Sequence, residues 1–366
     1  MKKVTEKCYL PTNALMLELL EKHPEFKIAY SISGTAIDQF EQYAPEVIES
    51  FKKLAATGKV EFLSETYYHS LSFLYSKDEF KEQVEKHKKK MKELFGVEPK
   101  VFRNTELIYN NELAKYIEEM GYEGILSEGA EKVLGWRNPN FVYHPKNCKI
   151  KLLMKNYKLS DDIAFRFSQR SWPEWPLTTE KYVNWVNKIN GSGTCLNLFM
   201  DYETFGEHQW EDTGIFDFMR QLPVEILKNK DNGFVLPSEL VKEDGVDEVC
   251  VKEPMSWADV ERDLSAWVGN KMQDSAILRL YEMEQEIKSS GNEELIEVWR
   301  KLTTSDHYYY MCTKWFNDGD VHKYFNPYDS PYDSFINFMN IINDVVIRLN
   351  KKEVKNVKEK ESSKIC

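Results

Sequence analysis

The sequence predicts a β/α fold, a closed or nearly closed barrel followed by a helical subdomain. Three observations carry this. Short strand-like apolar runs alternate with amphipathic helical stretches through the first two-thirds of the chain, the pattern of parallel βαβ units. Strand signals vanish after Trp257. No G-x-G-x-x-G follows any strand, which places a doubly wound open sheet second.

The elements can be justified in order. Lys27 to Ser33 reads as a strand, and Ala36 to Thr57 carries helical periodicity up to Gly58. Val60 to Leu63 is the second strand. Lys77 to Phe95 is a charged amphipathic helix closed by Gly96, and Val101 to Phe102 opens a third strand. Asn111 to Met120 is a helix closed by Gly121, before a fourth strand at Gly124 to Leu126. Shorter strand candidates lie at Phe141 to Tyr143 and Lys151 to Met154. A helix at Thr179 to Ile189 precedes the apolar run Cys195 to Glu203, and Gly233 to Leu236 is the last strand candidate. From Trp257 to Leu349 the pattern is helical, and the tail KKEVKNVKEKESSKIC is charged and free of aromatics, so disorder is expected there. The predicted domains are a barrel over 1–245, a helical subdomain over 246–350 and a disordered tail over 351–366.

Composition narrows the function. The chain has 366 residues and a formal charge of −11, an acidic balance that argues against nucleic-acid phosphate as the main partner. No apolar run approaches the ~18 residues of a membrane span, and the N-terminus lacks the apolar stretch of a signal peptide. The six cysteines are far apart, with no C-x-x-C pair; free thiols in a reducing cytoplasm are the expectation. The His residues show no H-x-x-x-H or H-E-x-x-H, so no His-rich metal site is expected. With 9 Trp and 20 Tyr, the chain has more aromatics than a core requires.

In a β/α barrel the working residues lie at the C-terminal ends of strands. Those ends carry Glu65, Glu106, Glu128, Asp201 and Glu203. Two carboxylates facing one pocket suit glycosidic bond cleavage, one attacking carbon or activating water and the other protonating the leaving oxygen. Singly, a strand-end Glu is more often a helix cap or a solvated loop residue. The run NLFMDYETFGEHQW says more, because a strand there places Asp201 and Glu203 on one face, beside His208 and Trp210. Trp172 and Trp175 lie in a Pro-bracketed loop with Arg170 and suit either sugar stacking or packing. Trp299 and Trp315 read as core anchors.

These segments resemble glycoside hydrolase family 57, in its α-amylase-like branch. VEFLSETYYHSL is similar to that family's second motif, VFRNTELIYN to the third, LFMDYETFGEHQW to the fourth and LTTSDHYYYM to the fifth. SDDIAFRFSQRSWPEWPLT and RDLSAWVGNKMQ also read like segments of this branch. The resemblance implies a (β/α)7 barrel followed by a helical bundle, with retaining chemistry on α-1,4-glucans. It implies that Glu106 is the nucleophile and Asp201 the general acid/base, with Glu203 a neighbour that tunes or binds. It further implies that His69, Asp306 and His307 line the sugar cleft, and it places Arg166, Trp172 and Trp267 in matching segments. The implied partner is an α-glucan or maltooligosaccharide, with no cofactor, no nucleic acid and no membrane; oligomeric state stays open. Water as acceptor gives an α-amylase-like hydrolase. A sugar hydroxyl gives a 4-α-glucanotransferase or a branching-type transglycosylase.

The family's first motif, a strand ending in His-Gln-Pro, has no counterpart here; EKCYLPTNALMLELL resembles the helix and loop after it. The expectation is a barrel lacking its first strand, with low activity, or a truncated, inactive glucan-binding homologue. A retaining pair requires carboxyls ~5–5.5 Å apart. A metal-dependent polysaccharide deacetylase, also built on an irregular β/α barrel, ranks last, because His69 has no partner at H-x-x-x-H spacing.

Overall fold

The computed structural model describes residues 1–314 and 326–362, with side chains as far as 350. Two compact units emerge. The first comprises Met1–Glu65 and Val84–Trp257, the second Thr66–Gln83 and Ala258–Cys366. The predicted division at 245/246 differs from this twice: the first unit continues to Trp257, and 66–83 joins the second.

In the first unit seven strands form, β1 (Ile28–Tyr30), β2 (Val60–Phe62), β3 (Val101–Phe102), β4 (Gly124–Glu128), β5 (Val142–Pro145), β6 (Lys151–Lys155) and β7 (Glu248–Val249). β1 and β2 pair in parallel, Ile28 opposite Val60. Ser64 extends that pair onto β3: its N–H donates to Val101 O at 2.9 Å, and its carbonyl accepts from Arg103 N at 2.8 Å. The other five strands run in the order β3-β4-β6-β5-β7. The pairs β3–β4 and β4–β6 are parallel, as the alternating pattern predicts.

β5 departs from that pattern. It pairs antiparallel with β6, Val142 opposite Leu153. The connection between them covers only 146–150, too short for the crossover that parallel pairing needs. Two strand candidates form no strand: Cys195 to Glu203 and Gly233 to Leu236. The first still runs beside the end of β6, where Asn156 N–H donates to Asn197 O at 2.8 Å. The second leads into Pro237, which opens a short helix at Pro237–Leu240.

The helices follow from capping and breakers. α1 (Leu10–Lys22) is preceded by a π-helical turn at Thr5–Tyr9. The predicted helix 36–57 is two, α2 (Gly34–Tyr43) and α3 (Pro45–Ala56), broken at Ala44. Pro45 disfavours helical backbone at the residue before it, and Ala44 accordingly sits at φ −158°, ψ 58°. α4 (Lys77–Phe95), α5 (Asn111–Glu119), α6 (Tyr157–Ala164), α7 (Thr179–Asn187) and α8 (Ile215–Leu227) complete the helices that flank the strands. Asn110, Asn156 and Thr178 cap α5, α6 and α7 through their side-chain oxygens. Apolar faces of α1, α2 and α3 meet Tyr30, Phe62 and Phe205 in one buried core.

The second unit is helical, with α9 (Lys271–Glu282), α10 (Glu293–Leu302), α11 (Ser305–Tyr309) and α12 (Pro331–Ser362). The backbone of α12 stays helical through 351–362, most of the tail expected to be disordered. Trp299 is buried and donates to Leu280 O at 2.9 Å, a core anchor as its spacing suggests. Trp315 lies outside the described residues. Glu79 is fully buried and is held by Arg300 at 2.9 Å and Lys288 at 2.7 Å. No helix among the described residues is long and apolar enough to cross a membrane.

Candidate active site

The C-terminal ends of the parallel strands gather charge. After β2 comes Glu65, 1% exposed; after β3, Arg103, 6% exposed; β4 ends in Glu128, fully buried; β6 ends in Lys155, 6% exposed. Ion pairing runs across neighbouring strands, Arg103 to Glu65 at 3.6 Å and Lys155 to Glu128 at 3.7 Å. Such burial is tolerable because each charge has partners. Ser31, just past β1, donates to Glu65 at 2.6 Å. His87 accepts from Glu65 N–H through Nδ1 at 3.4 Å and donates through Nε2 to Ile32 O at 2.8 Å. That pattern fits a neutral ring, and burial holds its pKa below the ordinary imidazole value.

Glu106 follows β3 by four residues in a distorted turn. Its backbone is left-handed, at φ 58° and ψ 23°, and so is that of Leu107, at φ 50°. Consecutive left-handed positions without glycine are costly, and such strain clusters at functional sites. Trp257 restrains the turn. Its indole N–H donates to Glu106 Oε2 at 2.8 Å, and its backbone N–H donates to Glu106 O at 3.2 Å. The Trp257 ring has two cationic neighbours, Arg103 at 5.3 Å and Lys155 at 5.1 Å from its centroid. Phe199, on the run that leads to Asp201, lies 5.7 Å from the same ring.

Asp201 is open to solvent at its surface, yet enough protein surrounds its carboxyl to desolvate it. Burial is the first cause of its raised pKa, followed by the negative charges of Glu203 and Glu106; Arg103 and Lys155 act in opposition. The result is pushed up to about 7. Glu203 accepts a short hydrogen bond from the Tyr9 hydroxyl. The Tyr9 phenol is raised well above its usual range, by burial first and then by Glu203. Glu106, Asp201 and Glu203 therefore share one electrostatic environment. A carboxyl neutral near pH 7 beside others of different surroundings is an arrangement that can divide acid and base roles. Among the described residues no group of three or more His, Cys, Asp or Glu side chains is placed to hold a metal ion.

The remaining sequence candidates have contacts of their own. In the first unit Arg166 is paired with Asp162 at 2.6 Å and lies 5.7 Å from the centroid of Trp172, which packs edge-on against Trp185. His69, Trp267, Asp306 and His307 belong to the second unit. There the Ser305 N–H donates to His69 O at 2.9 Å, so the second and fifth motifs meet through their backbones. Asp306 is exposed, His307 packs on Phe338, and Trp267 is 1% exposed against Tyr309.

Sequence reasoning missed Lys155, Trp257 and Tyr9. The strand predicted to end at Met154 continues by one residue, and the C-terminal end of that strand was the available signal for Lys155. Trp257 was grouped with the helical third. Tyr9 meets Glu203 across 194 residues of sequence, which no local pattern reports.

Comparison with known proteins shows the family. Residues 1–255 match glycosyl hydrolase family 57. A Methanocaldococcus jannaschii protein named "Putative alpha-amylase" is 46% identical over 354 residues, covering 93% of this chain and 75% of that protein. "Alpha-amylase 1" of Dictyoglomus thermophilum is 29% identical over 219 residues, 57% of this chain but only 30% of that protein. Among solved structures, a family 57 type branching enzyme from Pyrococcus horikoshii superposes with a TM-score of 0.69 at 14% identity, over 95% of this chain and 89% of that one. The 4-alpha-glucanotransferase of Thermococcus litoralis gives 0.68 at 17% identity, over 84% of this chain and 52% of that one. At those identities the likeness concerns the fold alone. The family match over 1–255 takes in the segments read as the second, third and fourth motifs, and this chain belongs to glycosyl hydrolase family 57.

Proposed function

We propose that this chain is a retaining glycosidase acting on α-1,4-glucans, with Glu106 as nucleophile and Asp201 as general acid/base. The observation that carries this is the difference between the two carboxyls. Glu106 is fixed by Trp257 at 2.8 Å, whereas Asp201 holds its proton up to about pH 7. Glu106 attacks the anomeric carbon while Asp201 protonates the leaving oxygen, giving a covalent glycosyl-enzyme. Asp201, then a base, takes a proton from the acceptor, and the α configuration is restored. Arg103 and Lys155 supply positive charge beside the carboxylates and so limit the cost of holding three acids together. Glu203 sits where its charge tunes Asp201. Arg166 and Trp172 are occupied by Asp162 and Trp185, which favours a packing role over sugar contact.

Water as acceptor makes the chain an α-amylase-like hydrolase, the activity named for its more similar relatives. Transfer to a sugar hydroxyl is the second reading, the activity named for a 4-alpha-glucanotransferase and a branching enzyme that share this fold. The strands support a β/α barrel as the frame. Among the described residues the thiols of Cys8, Cys148, Cys195 and Cys250 form no disulfide, which suits the cytoplasm. Incubation with maltooligosaccharides, beside Glu106→Gln and Asp201→Asn, tests the proposal. Shorter products alone mean hydrolysis, and longer products formed alongside shorter ones mean transfer. Equal turnover in wild type and both variants would refute the assigned pair.

A further inference from the structure

The segment that precedes α1 is built around a missing hydrogen bond. Pro11 has no N–H, so the carbonyl four residues earlier, Lys7 O, lacks its helical donor. The chain widens there into the π-helical turn Thr5–Tyr9, closed by Leu10 N–H on Thr5 O. Gly206 lies directly against Lys7 O. A Cβ at Gly206 would stand 1.9 Å from that oxygen, and its φ of +107° is one that side chains rarely adopt. The turn widened at Pro11 and the bare glycine let the N-terminal segment approach the loop that carries Asp201.

Other contacts fasten the same two segments. Cys8 Sγ donates to Tyr202 O at 3.3 Å, and Thr12 Oγ1 to Phe205 O at 3.1 Å. The Tyr202 hydroxyl donates to Asn13 Oδ1 at 2.6 Å. Lys3 pairs with Glu207. Amid these anchors the Tyr9 hydroxyl donates to Glu203 Oε1, while its ring packs edge-on against Phe40 at 4.8 Å.

We propose that Tyr9 is a positioning residue of the acid/base loop: it fixes the Glu203 carboxylate beside Asp201 and thereby sets the charge against which Asp201 ionises. This rests on the assignment of Asp201 made above. Charged and titratable groups face the pair from every side. Cys8 and Tyr9 come from the N-terminal segment, Glu207 and His208 from the loop itself, Arg103 and Glu106 from the end of β3, and Lys155 from β6. Of these, Tyr9 donates to Glu203 Oε1 without adding charge.

Carboxyl 13C NMR of the full chain, labelled at Asp and Glu, tests this without relying on turnover. The Asp201 signal is identified by its loss in Asp201→Asn. Glu203→Gln removes a neighbouring negative charge and lowers the Asp201 midpoint by about one pH unit. Tyr9→Phe keeps the ring but frees the carboxylate, so the midpoint falls by about half as much. The double variant Tyr9→Phe/Glu203→Gln matches Glu203→Gln alone, because Tyr9 acts through Glu203. Thr12→Val loosens the same loop without touching Glu203 and leaves the midpoint in place. The proposal is overturned if Tyr9→Phe leaves the Asp201 midpoint unmoved, if its effect adds to that of Glu203→Gln, or if Thr12→Val shifts the midpoint equally. A wild type without glucan turnover would count against the function proposed above, while the titration still decides the role of Tyr9.

Discussion

The indole N–H of Trp257 donates to Oε2 of Glu106 at 2.8 Å, tying the last residue of the first unit to a carboxylate on a left-handed turn. A hydrogen bond to a charged group contributes about 1.5–3 kcal/mol. Trp257→Phe keeps an aromatic ring near Arg103 and Lys155 but removes the donor. If the bond matters most once Glu106 is poised to attack, kcat falls roughly tenfold to a hundredfold with KM little changed. Steady-state kinetics on a maltooligosaccharide checks this, and a change confined to KM would place Trp257 in substrate binding instead.

The pH profile follows from Asp201. In the proposed role it must carry its proton to act as the acid, so activity is expected to fall as pH rises through the value of about 7 to which burial, Glu203 and Glu106 have pushed it. The alkaline limb of kcat/KM is expected near that pH. A limb lying above pH 9 would mean that a different group supplies the proton.

The same shift predicts a stability effect. A carboxyl with a raised folded pKa binds its proton more tightly in the native state than in the unfolded chain. That contribution is lost as pH rises from about 4 through about 7. Asp201→Asn removes a desolvated negative charge, so its unfolding midpoint in urea exceeds that of the wild type at pH 8, by more than at pH 5. A gain that is larger at pH 5 would contradict the sign.

Gly206→Ala tests the close approach on which the N-terminal segment depends. Its methyl meets Lys7 O at 1.9 Å, at a φ of +107°. We expect a loss of about 2 kcal/mol or more, seen in urea unfolding, together with weaker hydrogen-exchange protection of the amides of α1.

In the second unit, Glu79→Ala leaves Arg300 and Lys288 facing a space that a buried carboxylate filled. Breaking a buried ion network from one side costs about 3–5 kcal/mol. Denaturant unfolding of the variant checks this.

Much of the site-bearing edge was legible in sequence, because β2, β3, β4 and β6 are apolar runs each followed by a polar residue. Glu65, Glu106 and Glu128 could be named from strand ends, and Asp201 from the end of an apolar run that forms no strand. The order of roles among them came from resemblance, since spacing cannot tell Glu106 from Glu65. Cys195 to Met200 reads as a strand because it is apolar, but only isolated hydrogen bonds tie it to β6. The antiparallel β5 was hidden by the general alternation, although its short connection to β6 excludes a crossover. Trp257 and Tyr9 were illegible for one shared reason: each reaches its carboxylate over more than a hundred residues of sequence, 151 for Trp257 and 194 for Tyr9.

The most direct test of the proposed chemistry is to trap the covalent intermediate. A 5-fluoro-α-glucosyl fluoride slows release of the glycosyl unit, and peptide mass spectrometry then locates the label. The account predicts a glycosyl ester on Glu106, accumulating in wild type and absent in Glu106→Gln. A label on Asp201 or any other carboxylate, or turnover that yields inverted product without a label, would contradict it.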